Sequence, residues 1–148
     1  MKKINIIYAG GIKAGEKYFL EAVGEYIKRL SGEFKIANIE IKETDLKTEG
    51  KKILEKTSQG AFKIALCVEG KKLTSEGFAS LLYERGAQSA SVDFMIGSSA
   101  GLSDEVKKSA DFLLSLSDMT FTHRLARVML MEQLYRAYAI QTGRKYHK

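Results

Sequence analysis

The 148-residue chain has one cysteine and two histidines, and it has neither proline nor tryptophan. Cys67 has no second thiol for an internal disulfide. Its place in the apolar run Ile64-Ala65-Leu66-Cys67-Val68 reads as a buried, reduced thiol. One cysteine and the widely spread His123 and His147 supply no ligand set for zinc or an iron-sulfur cluster, so metal-free chemistry is expected. The apolar run that follows Met1-Lys2-Lys3 stops at Ala9 and is broken by Asn5. That is far below the roughly 20 residues of a membrane span, and neither signal peptide nor anchor is expected, which points to the cytoplasm. No GxxxxGK[ST] loop and no GxGxxG fingerprint occurs, so ATP, GTP and NAD lose their best support. The turn around Ser98 and Ser99 is not a G-x-S-x-G elbow, which argues against a serine hydrolase.

What is present suits one domain spanning 1–148. Hydrophobic residues make up 45% and charged residues 28%, enough apolar surface for a core without disulfides. The formal net charge of +6 is unevenly placed. From residue 119 onward, Arg124, Arg127, Arg136, Arg144, Lys145 and Lys148 stand against a single acid, Glu132. Basic residues gathered with both histidines suggest a surface for a polyanion such as RNA; a tail that merely aids solubility is the plainer alternative.

Short apolar runs of strand character alternate with amphipathic helical stretches. Strands are expected at Lys3–Ala9, Lys35–Lys42, Ala61–Val68, Val92–Gly97 and Phe112–Leu116. Helices are expected at Lys17–Leu30, Leu46–Lys56, Ser75–Glu84, Ser103–Ser109 and about Leu125–Gln141. The alternation predicts an α/β domain with a mainly parallel sheet covered by helices on both faces. The charged stretch from Lys42 to Lys56 reads as a solvated helix and its loop, with no catalytic role. The last helix carries apolar side chains on nearly every side, among them Val128-Met129-Leu130-Met131, Leu134-Tyr135 and Ala137-Tyr138-Ala139-Ile140. Either it is enclosed within one chain or a second copy covers it, and the composition favours a homodimer.

Ligands of open α/β sheets bind where loops leave the carboxyl ends of the strands. Three loops qualify here. The first follows Leu66, with Glu69-Gly70-Lys71 read as its turn. The second is Ile96-Gly97-Ser98-Ser99-Ala100-Gly101-Leu102, whose small residues admit a ligand close to the backbone, although a plain structural turn would read the same. The third runs Leu116-Ser117-Asp118-Met119-Thr120-Phe121-Thr122-His123.

Taken together these segments are specific. With Lys3–Gly10, Glu25-Tyr26-Ile27-Lys28-Arg29-Leu30, Leu73-Thr74-Ser75-Glu76-Gly77, Arg127-Val128, Glu132-Gln133-Leu134-Tyr135-Arg136-Ala137 and Tyr146-His147-Lys148, the chain resembles the RlmH family of ribosomal large-subunit methyltransferases, in the SPOUT class, over nearly its whole length. The resemblance implies a carboxyl-terminal trefoil knot and a homodimer through the last helix. It also implies methyl transfer from S-adenosylmethionine to N3 of a pseudouridine in 23S rRNA; with no appended RNA-binding module in the single domain, the assembled ribosome is the expected substrate. The resemblance places the cofactor against Leu66, Gly97 and the loop Leu116, Ser117, Asp118, Met119, Thr120 and Phe121. For the acceptor base it points to His147 with Tyr146, and to His123 as a second titratable group.

Arg124, Arg127, Arg144, Lys145 and Lys148 are the candidate RNA contacts, with an ion pair to Glu132 as the alternative for Arg127. The sequence departs from the family pattern at Ser98, where a second glycine is usual, and at Thr122, where a proline is usual. Ser98 puts a side chain where the pattern leaves room for the cofactor, whereas Thr122 is suited to cap the last helix. Two other activities compete: a noncatalytic ribosome- or RNA-binding protein, and a SPOUT methyltransferase with a tRNA or protein acceptor.

Overall fold

The computed structural model describes residues 2–146. Five parallel strands form one sheet: β1 (Lys2–Ala9), β2 (Phe34–Ile41), β3 (Phe62–Lys72), β4 (Val92–Ile96) and β5 (Phe112–Ser115), in the order β2-β1-β4-β3-β5. The helices are α1 (Lys17–Leu30), α2 (Leu46–Glu55), α3 (Ser75–Glu84), α4 (Asp104–Ser109) and α5 (His123–Thr142). Single 3-10 turns at Ala14–Glu16 and Gly86–Gln88 complete the set.

Alternation along β1 divides the core between the two faces of the sheet. Ile4, Ile6 and Tyr8 point to one side and join Phe94, Val23, Phe78, Leu130 and Leu134, which α1, α3 and α5 cover. Ile7 and Ala9 point to the other and join Met95, Ile53 and Val106 under α2 and α4. Every residue of β4 is buried, as both-face coverage of a parallel sheet requires. At its amino end the buried Asp93 carboxylate accepts from Asn5 Nδ2 (2.8 Å), Ser91 Oγ (2.9 Å) and the Ser58 N–H (2.7 Å), so its polar atoms are satisfied away from water.

Side-chain caps start four of the helices. Asp45, Thr74, Ser103 and Thr122 accept from the N–H groups of Thr48, Gly77, Val106 and Leu125 respectively. Thr122 therefore does for α5 what its hydroxyl suggested. Gly143, at φ +70°, closes the far end of α5 in the left-handed conformation that glycine adopts most easily.

Two expectations need correction. Glu69-Gly70-Lys71 is not a turn: β3 continues to Lys72, and its register against β5 jumps between Leu66 and Lys71. The extra residues, Cys67 to Gly70, bulge out of the ladder without ending the strand, and with Val68 and Glu69 exposed side by side they show no alternation that periodicity could read. The stretch from Lys42 to Lys56 is also not simply solvated, since Glu49 on α2 is only 1% exposed. The apolar sides of α5 are partly covered within the chain, because α1 and α3 flank it on the sheet.

The bulge brings Gly70 so close to β5 that a Cβ there would lie 2.7–2.8 Å from the backbone of Leu113 and Leu114. Gly70→Ala is expected to lower stability by about 1–3 kcal/mol, the usual result of overpacking. Gly24→Ala, whose Cβ would meet nothing within 4 Å on α1, should gain roughly 0.5–1 kcal/mol. Urea unfolding of the two variants reads both signs.

Candidate functional site

The carboxyl ends of β3, β4 and β5 open into one cleft of about 670 Å³, a volume ordinary for a small-molecule site. Leu66, Cys67, Val68 and Glu69 form one wall, Ile96 to Leu102 a second, and Leu114, Leu116, Ser117, Met119, Thr120 and Phe121 a third. Thr122, His123, Arg124 and Ala126 close it at the start of α5. The three loops chosen by sheet reasoning thus converge on one space, although the first is the outer part of a bulged strand.

Gly97 is indispensable to the second wall. A Cβ on it would fall 2.1 Å from the Gly101 carbonyl oxygen, because the loop doubles back on itself. Gly101, at φ +82°, makes the reversal, and the Gly101 N–H donates to Ser98 O at 2.9 Å. Ser98 lines the cleft, but its hydroxyl is engaged away from it. The residue is buried, and its hydroxyl donates to Glu49 Oε1 at 2.9 Å, on the α2 side.

The charged groups of the lining are paired. Lys107 Nζ lies 2.5 Å from Glu69 Oε1, and Arg124 Nε lies 3.2 Å from Glu16 Oε1. The lysine depresses the Glu69 pKa by hydrogen bonding, and the Lys107 pKa rises for the same reason. Burial, and then Glu69, push the Cys67 thiol up, so it is a protonated wall residue and not an activated nucleophile. His123 Nε2 is buried without a hydrogen-bond partner among the described residues, close to Gly10 and Glu43. Burial, reinforced by the Arg124 charge, lowers the His123 pKa, so the ring is neutral at pH 7.

Of the residues expected at the cofactor site, Leu66, Gly97, Leu116, Ser117, Met119, Thr120 and Phe121 line the cleft, as does His123. Asp118 belongs to the same loop, but its side chain is 80% exposed and pairs with Lys72 at 2.5 Å. Tyr146 lies elsewhere: its hydroxyl donates to Glu132, which also accepts from Tyr26, and its ring packs edge-on against Tyr135. His147 and Lys148 lie outside the described residues. Arg144 is exposed, with its guanidinium 4.8 Å from the Tyr138 ring centre, and Lys145 is exposed as well.

Arg127 is neither a surface contact nor the partner of Glu132. It is 5% exposed, its guanidinium lies 3.8 Å from the Tyr8 ring centre, and Nη2 donates to Asn38 Oδ1 at 3.1 Å. Burial lowers its pKa from the usual arginine range without threatening its charge. Spacing along α5 suggested Glu132, but the side chain turns inward to β1 and β2. Glu49, conversely, escaped the sequence reading. Its signal was there: Leu46, Glu49-Gly50 and Ile53 form a stripe at helical spacing, which puts an acid on the buried face of α2.

A parallel α/β sheet with a paired-charge, backbone-rich cleft at its carboxyl edge has the architecture in which open-sheet α/β proteins place their ligands. The family described as "Predicted SPOUT methyltransferase" matches residues 2–147. The chain is 48% identical to ribosomal RNA large subunit methyltransferase H of Caldicellulosiruptor bescii, over 98% of this chain and 99% of that one. It is 43% identical to the protein of the same name from Caldicellulosiruptor saccharolyticus (98% and 99%) and 42% identical to that from Bifidobacterium adolescentis (99% and 99%). The chain belongs to the SPOUT methyltransferase family, in the group of ribosomal RNA large subunit methyltransferase H.

Arg127→Ala, which strands Asn38 and removes the stack on Tyr8, is expected to cost about 2–4 kcal/mol by chemical denaturation. A loss under about half a kilocalorie, the level of an ordinary surface change, would show the guanidinium to be free of both partners. The His123 shift carries a pH signature. Because its folded pKa lies below the unfolded value of about 6.5, the unfolded chain binds the proton first. Its contribution to stability is thus complete above the unfolded value and is lost as pH falls toward the folded one. His123→Gln should flatten that part of the curve between about pH 7.5 and 5.5, read from urea midpoints.

Proposed function

We propose that this chain is an S-adenosylmethionine-dependent methyltransferase that modifies N3 of a pseudouridine in 23S rRNA, in the assembled large subunit, and that it works in the cytoplasm. The observation that carries the reading is the meeting of three loops in one cleft at the carboxyl edge of the sheet, in a chain of this family. The relatives' printed name supplies the large-subunit rRNA, and their near-complete coverage supports carrying it to this chain.

The residues fit the cofactor. The walls are largely apolar side chains and loop backbone, suited to a flat heteroaromatic ring, and the lysine and arginine of the lining are already neutralised by Glu69 and Glu16. A cationic sulfonium meets no uncompensated positive charge from them. When bound, the cofactor supplies an electrophilic methyl group. Leu66, the 97–102 loop and Leu116 to Phe121 would hold it. The protein's task is then to keep donor and acceptor nitrogen in line, about 3 Å apart. The acceptor imide has a proton to lose, and His123 lines the cleft with a neutral ring whose unpartnered Nε2 is turned in toward Gly10 and Glu43, so a turn of the ring would be needed for it to meet that proton.

In this reading the chain is a homodimer through α5, with a carboxyl-terminal knot, and Tyr146 and His147 of one copy complete the acceptor pocket of the other. The half-buried Val128 and Met129 beside a groove of about 400 Å³ between α3 and α5 support a second copy there. Arg144, Lys145 and Lys148 are the RNA contacts the reading retains.

The test is incubation with labelled S-adenosylmethionine and ribosomes lacking the modification, followed by mass spectrometry of the rRNA nucleosides. Methylated pseudouridine is the expected product, with free rRNA a poorer substrate. A chain truncated after Arg144 should keep cofactor binding and lose at least about 100-fold in turnover, the scale of removing acid–base and positioning groups. Ribosome binding without methyl transfer or cofactor affinity would make the protein a noncatalytic binder.

A further inference from the structure

The cofactor loop is fastened to the opposite face of the sheet by a helix that the methyltransferase reading leaves without a task. Glu49 on α2 is 1% exposed, yet its carboxylate is fully engaged: Oε1 accepts from Ser98 Oγ at 2.9 Å and Oε2 from the Thr44 N–H at 2.8 Å. Removing a carboxylate from water is costly unless hydrogen bonds replace the lost hydration, so these two bonds hold as a unit. The next residue, Gly50, meets the far end of the same loop. A Cβ on it would lie 2.3 Å from Ser103 Oγ, the side chain that caps α4. Glu49-Gly50 thus grips residues 98 and 103, which bracket the wall 97–102.

That wall needs an external fastening. Between Ser98 and Gly101 it holds itself through one backbone hydrogen bond and an isolated bridge, with Ser99 and Ala100 exposed at its tip. Gly97 and Gly101 give it freedom as well as clearance, since glycine loses more conformational entropy on ordering than any other residue. A loop with so little internal bonding opens locally unless it is tied to something rigid. The buried carboxylate, anchored to the start of α2 by the Thr44 N–H, is the sheltered tie; the other, from Ser99 Oγ to Glu43 Oε1 at 3.4 Å, is long and exposed to water.

We propose that Glu49 is a positioning residue for the cofactor site: through Ser98 it holds the 97–102 backbone in the curve that leaves the cleft open, and the site loses affinity when the tie is cut. Glu49 touches no reacting atom. This rests on the cleft being the S-adenosylmethionine site, and the experiment separates the two ideas.

Hydrogen exchange of the ligand-free protein reports on the loop alone, and calorimetric titration with S-adenosylmethionine reports on the site. Glu49→Gln and Ser98→Ala should each speed exchange of residues 98–102 by about ten-fold, the effect of losing a charge-assisted hydrogen bond, while β4 keeps its protection. Each should also weaken cofactor binding by about ten-fold and raise the cofactor KM by more than it lowers kcat. The double variant should resemble the worse single one, because both cut the same tie. Should Glu49→Gln fail to fold, Ser98→Ala removes only a hydroxyl and carries the same prediction. Unchanged loop exchange in Ser98→Ala, or additive losses in a folded double variant, would overturn the proposal. Faster exchange in a protein whose parent binds no S-adenosylmethionine would uphold the tie and overturn the cofactor assignment instead.

Discussion

The cleft depends on a piece of backbone that has no room for a side chain. Where β4 ends, the chain must leave a fully buried strand, reverse within five residues and enter α4, and it does so by laying Gly101 directly over Gly97. Any Cβ at 97 would collide with the Gly101 carbonyl, and moving that carbonyl would lose the Ser98–Gly101 contact and displace the start of α4. The crossing sets the path the central wall can take between β4 and α4. Ser103 then caps α4, and Leu102 sinks into the core beside Val106, so the loop's exit is as firmly placed as its entry.

The other two walls are set by different means. The β3 side is shaped by the bulge that carries Cys67, Val68 and Glu69 past β5, with Gly70 allowing the strand to return to the ladder. The β5 side has no such device. It is a loop joined to α5 through the Thr122 cap, and its tip is fastened from outside by the Lys72–Asp118 pair, an exposed contact of small energetic weight. The site is therefore rigid where β4 feeds it and softer toward Met119, which is 73% exposed.

Charge was legible only as a total. The basic excess after residue 119 is real, but the fold disposes of its members separately. Arg127 goes under Tyr8, Arg124 is tied to Glu16, and Arg136 closes on Glu132. Sequence position cannot separate a phosphate-binding arginine from one that a sheet residue 89 or more positions away will stack on or accept from. The same holds in reverse for Glu49, whose surroundings in sequence are lysines and whose surroundings in space are Ser98 and the Thr44 N–H.

Legible in the chain itself were the alternation of strands and helices, the cap that starts α5, the two loops after β4 and β5 that line the cleft, and the family to which the chain belongs. These follow from local chemistry: side-chain period, hydroxyls before helices and small residues at strand ends, each readable within a few positions. Beyond the reach of local pattern lie the continuation of β3 past its apolar segment, the burial of Arg127, and the bond from Ser98 to a buried carboxylate on a lysine-rich helix. Those outcomes depend on which distant side chain fills a given space and which buried polar atom must be satisfied, and no local pattern encodes a partner some 50 or 90 residues away.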